Sequence, residues 1–312
     1  MFTDWARMKR AEGKESLTGA ASFDEKLPFL MTLTRHHASS TGFGLNRIRS
    51  HHQSWGWDAL DFDWEAQWLD EAPVWLLRFR EGIDLSKTRA VMDRFEFATR
   101  EFEGATIRSR RVALAEDWAT TTELAIANTA FLPDGRTLIA SSNAAALERA
   151  LTTHARGAAN QASLDMAAAI GDGTAVVMLQ GTDACRSLHP RLTPGVPKET
   201  LDDMVKTIDE ARLEPYDAFV VGYDTVEGEP VGVVAMHFAD DATAQDQAAK
   251  RERIAATALS IRTNKPFAET VFTVSDRQVV EGYVFLKVAP AGGVPKRLFD
   301  SILIRDALYA AC

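Results

Sequence analysis

One layout occurs twice in this chain. Asp63–Asp84 reads DWEAQWLDEAPVWLLRFREGID, and Asp217–Asp241 reads DAFVVGYDTVEGEPVGVVAMHFADD. Each holds an apolar segment, an acidic turn, a proline (Pro73, Pro230), a second apolar segment, and an Asp where a helix begins. A hydrophobic period of two marks a strand with one buried face, so each passage predicts a β-hairpin leading into a helix. Half-polar strands suit antiparallel pairing better than a parallel sheet covered on both sides. The segments that follow repeat the order hairpin, helix, strands, helix. The expected fold class is therefore α+β: two similar halves, each an antiparallel sheet with helices packed on one face. Residues 1–60 read as a helical or irregular opening segment, 61–171 as the first half and 172–312 as the second. Pro190, Pro194 and Pro197 mark the boundary region.

The first hairpin carries a register expectation. Pairing Trp64 with Phe79 and Trp68 with Trp75 sets Glu65 opposite Arg78 and Asp63 opposite Arg80, so both faces are complementary at once. Trp64, Trp68, Trp75 and Phe79 are then expected inside.

Charge narrows the partners. A formal net charge of −9 argues against nucleic acid, because phosphate backbones need clustered Lys and Arg. The densest basic run, Arg108, Arg110 and Arg111, reads as a solvated strand face. No apolar run reaches the length of a membrane span, and Met1 leads directly into polar sequence, so no transmembrane segment or signal peptide is expected within the chain.

Candidate chemistry is sparse. His36, His37, His51 and His52 cluster in sequence, yet neither their spacing nor any nearby Cys makes a metal set, and no metal is expected. Trp55 and Trp57 precede the first strand and, with Asp58, His51 and His52, form the candidate ligand-binding group: aromatic faces beside carboxylates suit a sugar or other small ring. Asp58, Asp61, Asp63 and Glu65 lack the glycine and terminal Glu of a calcium loop. No dinucleotide loop, phosphate loop or nucleophile elbow is present, and no cofactor is expected. His237 ends a strand and reads as a hydrogen-bonded structural histidine.

Cys185 and Cys312 are the two cysteines. A cysteine closing an apolar C-terminal stretch is expected to pair with the other, which requires an oxidising compartment.

The segments SWGWDALDFDWEAQW, FTDW and LAIANTAFLPDGRTLIASS resemble those of uncharacterised exported bacterial proteins, over residues 1–155. The resemblance carries no activity. It implies export, with attachment to a membrane surface through an N-terminal anchor removed from this chain. The expected function is thus an exported, non-catalytic protein binding a small molecule, glycan or protein, with the cleft between the halves as the expected site. The location expected is extracellular or cell envelope, with the cytoplasm as the alternative. Two rivals stand beside it: a hydrolase using carboxylates and histidines from residues 36–65, and a structural component of the cell envelope.

Overall fold

A computed structural model describes residues 1–35, 43, 48–69, 71–111, 124–157, 165, 166, 168, 170, 171, 173–181, 184–226 and 229–312. The chain divides into two compact units, residues 1–31 with 39–158, and residues 32–38 with 159–312. Both are α+β, and every strand pairing described within them is antiparallel.

The first unit holds β1 (Phe2–Asp4), β2 (Phe62–Leu69), β3 (Pro73–Phe79), β4 (Ala98–Phe102), β5 (Ala105–Ser109), β6 (Asn128–Phe131) and β7 (Thr137–Ser141). They run side by side in the order β1-β2-β3-β7-β6-β5-β4. The helices are α1 (Trp5–Ala11), α2 (Phe23–Arg35), α3 (Ile48–Trp55), α4 (Ser86–Arg94) and α5 (Ala144–Arg156). Local chemistry sets their ends. Asn143 caps α5 by accepting from the Ala146 amide at 3.1 Å, and Gly157 closes it with a left-handed φ of 60°. In the turn 133–135, Asp134 accepts from the Arg136 and Thr137 amides, and Gly135 takes a φ of +68°.

Both faces of this sheet are covered. Val74, Ile107, Ala130 and Ile139 meet Leu147 and Leu151 of α5 on one side. On the other, Trp57 lies 5.3 Å from Phe79 between ring centroids, the Thr88 hydroxyl of α4 donates to the Trp55 carbonyl at 2.8 Å, and Arg89 lies over Phe131. Among the described opening residues, β1 adds to β2, with Thr3 opposite Glu65.

The β2–β3 register departs from expectation by one residue. Phe62 pairs with Phe79, a bulge follows at Asp63, and beyond it Trp64 faces Arg78, Glu65 faces Leu77 and Gln67 faces Trp75. A single inserted residue turns every later side chain to the opposite face. Phe79 is buried as expected, but Trp64 and Trp75 are half-buried and Trp68 is 38% exposed. Glu65 takes the inside place, fully buried, its Oε2 accepting from the Phe43 amide at 3.0 Å. The expected ion pairs change accordingly. Arg78 pairs with Asp134, Asp63 with Arg136 at 2.7 Å, and Arg80 with Asp61 at 3.1 Å.

The second unit holds β8 (Ala175–Gln180), β9 (Ala218–Val226), β10 (Glu229–His237), β11 (Phe272–Val280) and β12 (Tyr283–Pro290), in the order β8-β9-β10-β12-β11. Its helices are α6 (Ala184–Ser187), α7 (Lys198–Ala211), α8 (Asp241–Thr257), α9 (Phe267–Thr270) and α10 (Lys296–Leu303). One topological step recurs in both units. A hairpin (β2–β3, β9–β10) leads to a helix, and the last strand of the next meander, β7 or β12, lies against the hairpin's second strand. The meander has four strands in the first unit and two in the second.

One face of the second sheet is sealed. Val234, Met236, Val284 and Leu286 are fully buried, Arg277 reaches Glu252 of α8, and Tyr223 lies edge-on to Phe299 of α10. The last residues complete this core. Ala307, Tyr309, Ala310 and Ala311 are at most 1% exposed, and Cys312 is bonded to Cys185 across 127 residues. Arg251 of α8, fully buried, donates to the carbonyls of Glu214, Tyr309 and Ala311 and lies over the rings of Tyr216 and Phe238. No helix among the described residues is long and apolar enough to cross a membrane.

Candidate functional site

Four of the five residues singled out in the sequence gather at one buried node of the first unit, with His52 at its edge. His51 is 2% exposed, its ring 4.3 Å from Trp57 and 6.2 Å from Trp55 between centroids, with Phe43 edge-on. Trp55 and Trp57 are 2% and 0% exposed, which corrects the expectation of an aromatic platform open to ligand. The loop before β2 folds inward because Asp58 and Asp61 cap its short 3-10 turn reciprocally. Asp58 Oδ1 accepts from the Leu60 amide at 2.9 Å, and Asp61 Oδ2 accepts from the Asp58 amide at 3.1 Å.

A buried lysine holds one carboxylate and a half-buried arginine the other. Lys26 Nζ is 2.8 Å from Asp58 Oδ2 and also donates to the Gly19 carbonyl at 2.5 Å. Asp61 accepts from Arg80 Nε and from the Gly19 amide, while Lys9 donates to the Leu60 carbonyl at 2.9 Å. Gly19 is obligatory, since a Cβ there would lie 2.0 Å from Asp61 Oδ2. Burial raises the Asp58 carboxyl, against the pull of Lys26 and the Leu60 amide, and burial lowers Lys9. This network staples the opening segment to β2. His52 lines a cavity of ≈ 370 Å³ beside Gly19 and Lys26. The sequence alone gives no sign of Lys9 and Lys26, and it assigns Arg80 to Asp63 where the fold pairs it with Asp61. The Asp58-to-Asp61 spacing was the available signal. His36 and His37 lie outside the described residues.

Among the described residues, His51, Asp58, Asp61 and Glu65 are buried and engaged with neighbouring rings, cations or amides. Burial first, and the neighbouring His52 second, push His51 down to about 3, so it stays neutral while the fold is intact. The unfolded chain protonates it near its ordinary value of about 6.5. Stability from this group is therefore whole above that value and drains as pH falls towards 3, at about 1.4 kcal/mol per unit. At pH 4 the loss is about 3 kcal/mol. In denaturant titrations followed by tryptophan fluorescence, His51→Phe is expected to flatten the acid limb relative to the parent chain. An identical acid limb in both proteins would refute the assignment.

The more promising site lies wholly within the second unit, on the second face of its sheet. Met166 and Ile170 cover the middle of that face over Ala218, Val220 and Ala235. Gly222 permits it, since a Cβ there would come within 2.8 Å of Ile170. Beside Ile170 a cavity of ≈ 460 Å³ remains open, floored by Val231, Val233 and Phe285 and rimmed by Asp224, Asp276, Gln278 and Lys287. The register places these residues together: Val233 and Asp276 both partner Lys287, Gln278 partners Phe285, and Val231 partners Asp224. Sequence reading gave no hint of the pocket, because its residues come from four strands and one helical segment.

His237 stands at the end of the same face. Its Nδ1 is 2.6 Å from Asp217 Oδ1, and its ring centroid is 4.6 Å from that of Tyr283, whose hydroxyl donates to Asp165 at 3.1 Å. It is hydrogen-bonded as expected, and none of these contacts brings a Ser, Thr or Cys nucleophile to it. Two larger cavities, of ≈ 550 and ≈ 540 Å³, flank the turn at residues 260–265. In the first, Lys296 and Arg262 already pair with Asp300, and Asp306 accepts from Ser260 and the Ile261 amide. The second offers one carboxylate, Asp203, and no cation. Among the described residues no group of three or more His, Cys, Asp or Glu is placed to hold a metal ion.

No family model matches the chain, and no curated protein matches it. Among solved structures it is similar to crystal form I of TP0453, with a TM-score of 0.40 and 7% identity over 99% of this chain and 92% of that one.

Proposed function

We propose that this is an exported, non-catalytic binding protein whose ligand sits in the cavity on the open face of the second unit's sheet. The observation that carries the reading is that cavity: an apolar floor of Val231, Val233 and Phe285 with a few polar groups converging on its rim. That combination is the usual make-up of a small-molecule site. Export is supported by the Cys185–Cys312 bond, since disulfides persist in oxidising compartments. It agrees with the exported proteins that the first half of the sequence resembles.

Val233→Trp supplies the test, because the larger ring fills the cavity from a half-buried position on its floor. A thermal-shift panel of amino acids, amines, carboxylic acids, sugars and nucleosides is run on the parent chain and on this variant. At least one compound is expected to stabilise the parent and to lose its effect on the variant. A panel with no stabiliser, or one whose shifts survive in Val233→Trp, would sink the reading. A structural envelope component is the natural alternative in the first of those outcomes.

A further inference from the structure

We infer that the cavity takes a zwitterion with an apolar side chain, a free apolar amino acid or a dipeptide of such residues. The inference rests on the ligand-site reading above and assigns its chemistry. Asp276 and Lys287 are direct cross-strand partners on the open face, an arrangement in which opposite charges normally pair. Here they do not: among the described residues Lys287 Nζ makes no ion pair or hydrogen bond. Asp276 accepts only from the Arg277 amide and from the Gln278 side chain at 3.2 Å. Asp224, across β10 and β12 from Asp276, stands apart from this pair and accepts from the Thr225 amide at 2.7 Å.

The rim therefore presents separated negative and positive groups around an apolar base. A simple cation would be set beside the Lys287 ammonium, and a simple anion would face the Asp276 carboxylate. A neutral apolar ligand would cover charged groups without replacing their water. A zwitterion answers both unpaired groups together: its ammonium meets Asp276, its carboxylate meets Lys287, and its side chain lies on Phe285 and Val233. The cavity of ≈ 460 Å³ fits this size class, since small-molecule sites begin at about 300 Å³.

Calorimetric titration of the full chain separates the elements, using phenylalanine, the dipeptide Phe-Leu, N-acetylphenylalanine, phenylalaninamide, glycine and glucose as probes. Phenylalanine or Phe-Leu is expected to bind. Masking either charge should weaken phenylalanine about tenfold or more, as should replacing its ring with glycine's hydrogen. Lys287→Gln should weaken phenylalanine but leave phenylalaninamide unchanged, and Asp276→Asn should do the same with respect to N-acetylphenylalanine. Both residues are exposed, so neither change threatens the fold. Equal binding of masked and unmasked probes, preference for glucose, or indifference to Lys287→Gln would overturn the inference. If a non-zwitterion binds and Val233→Trp abolishes it, the zwitterion class fails while the site stands. If phenylalanine binds Val233→Trp as tightly as the parent, the site itself is wrong.

Discussion

Arg251→Met is expected to destabilise the second unit by about 3–5 kcal/mol. Arg251 is fully buried with no carboxylate partner described: three backbone carbonyls and the rings of Tyr216 and Phe238 take the place of a counter-ion. Burial lowers its pKa to about 10, which still leaves it charged at neutral pH. Two opposing effects decide the outcome. Replacing a buried charge by an apolar side chain removes a desolvation penalty, and that alone can be neutral or stabilising. Here, however, the buried carbonyls of Tyr309 and Ala311 and the part-buried one of Glu214 would lose their donor, and each orphaned buried group costs about 1–3 kcal/mol. The second effect wins because those carbonyls lie in segments without a sheet partner. Native-state hydrogen exchange of α8 is the measurement, and unchanged or increased protection would contradict the assignment. Arg251→Lys should fall between, since an ammonium keeps the charge but cannot span the same three carbonyls.

Removing the disulfide is the second large effect. Cys185→Ala with Cys312→Ala frees a loop of 127 residues, for which loop entropy gives about 4–5 kcal/mol. Total stabilities of domains run to about 5–15 kcal/mol, so the loss is a large fraction of what holds the unit together. Its first consequence should be local. The segment Asp306–Cys312 is core without being strand or long helix, held by Arg251, by Tyr216 donating to the Ala310 carbonyl at 2.5 Å, and by the bond itself. Limited proteolysis should release this segment from the double variant, and from the parent protein only after reduction. A C-terminus equally resistant in both states would show that the bond adds little.

Much of the fold was legible because hydrophobic period and turn chemistry agreed. The Pro133–Gly135 turn, the Asn143 cap and the β9–β10 hairpin leading into α8 all follow from such local signals. What failed was information that no local pattern carries. The bulge at Asp63 adds one residue to β2, and strict alternation of Trp64, Ala66 and Trp68 conceals it. The β11–β12 turn falls at Glu281–Gly282, inside an apolar stretch from Val279 to Val288 that hydrophobicity alone does not divide. Leu303, apolar and next to Ile302 in the last helix, is 54% exposed, while Phe299 is core. In the candidate sites the sequence found the right neighbours with the wrong exposure. Trp55, Trp57 and His51 do meet, but as core. The cavity stayed hidden because Ile170, Asp224, Val233 and Lys287 become neighbours only through strand pairing.

The assignment of the ligand to the second unit's open face is tested most directly by amide chemical-shift mapping. The isotope-labelled protein is titrated with the strongest stabiliser from the panel. Shifts centred on Val231, Val233, Asp276 and Phe285 are the expected result. Shifts centred instead on His51, Trp55 and Trp57, or spread evenly with no focus, would contradict it.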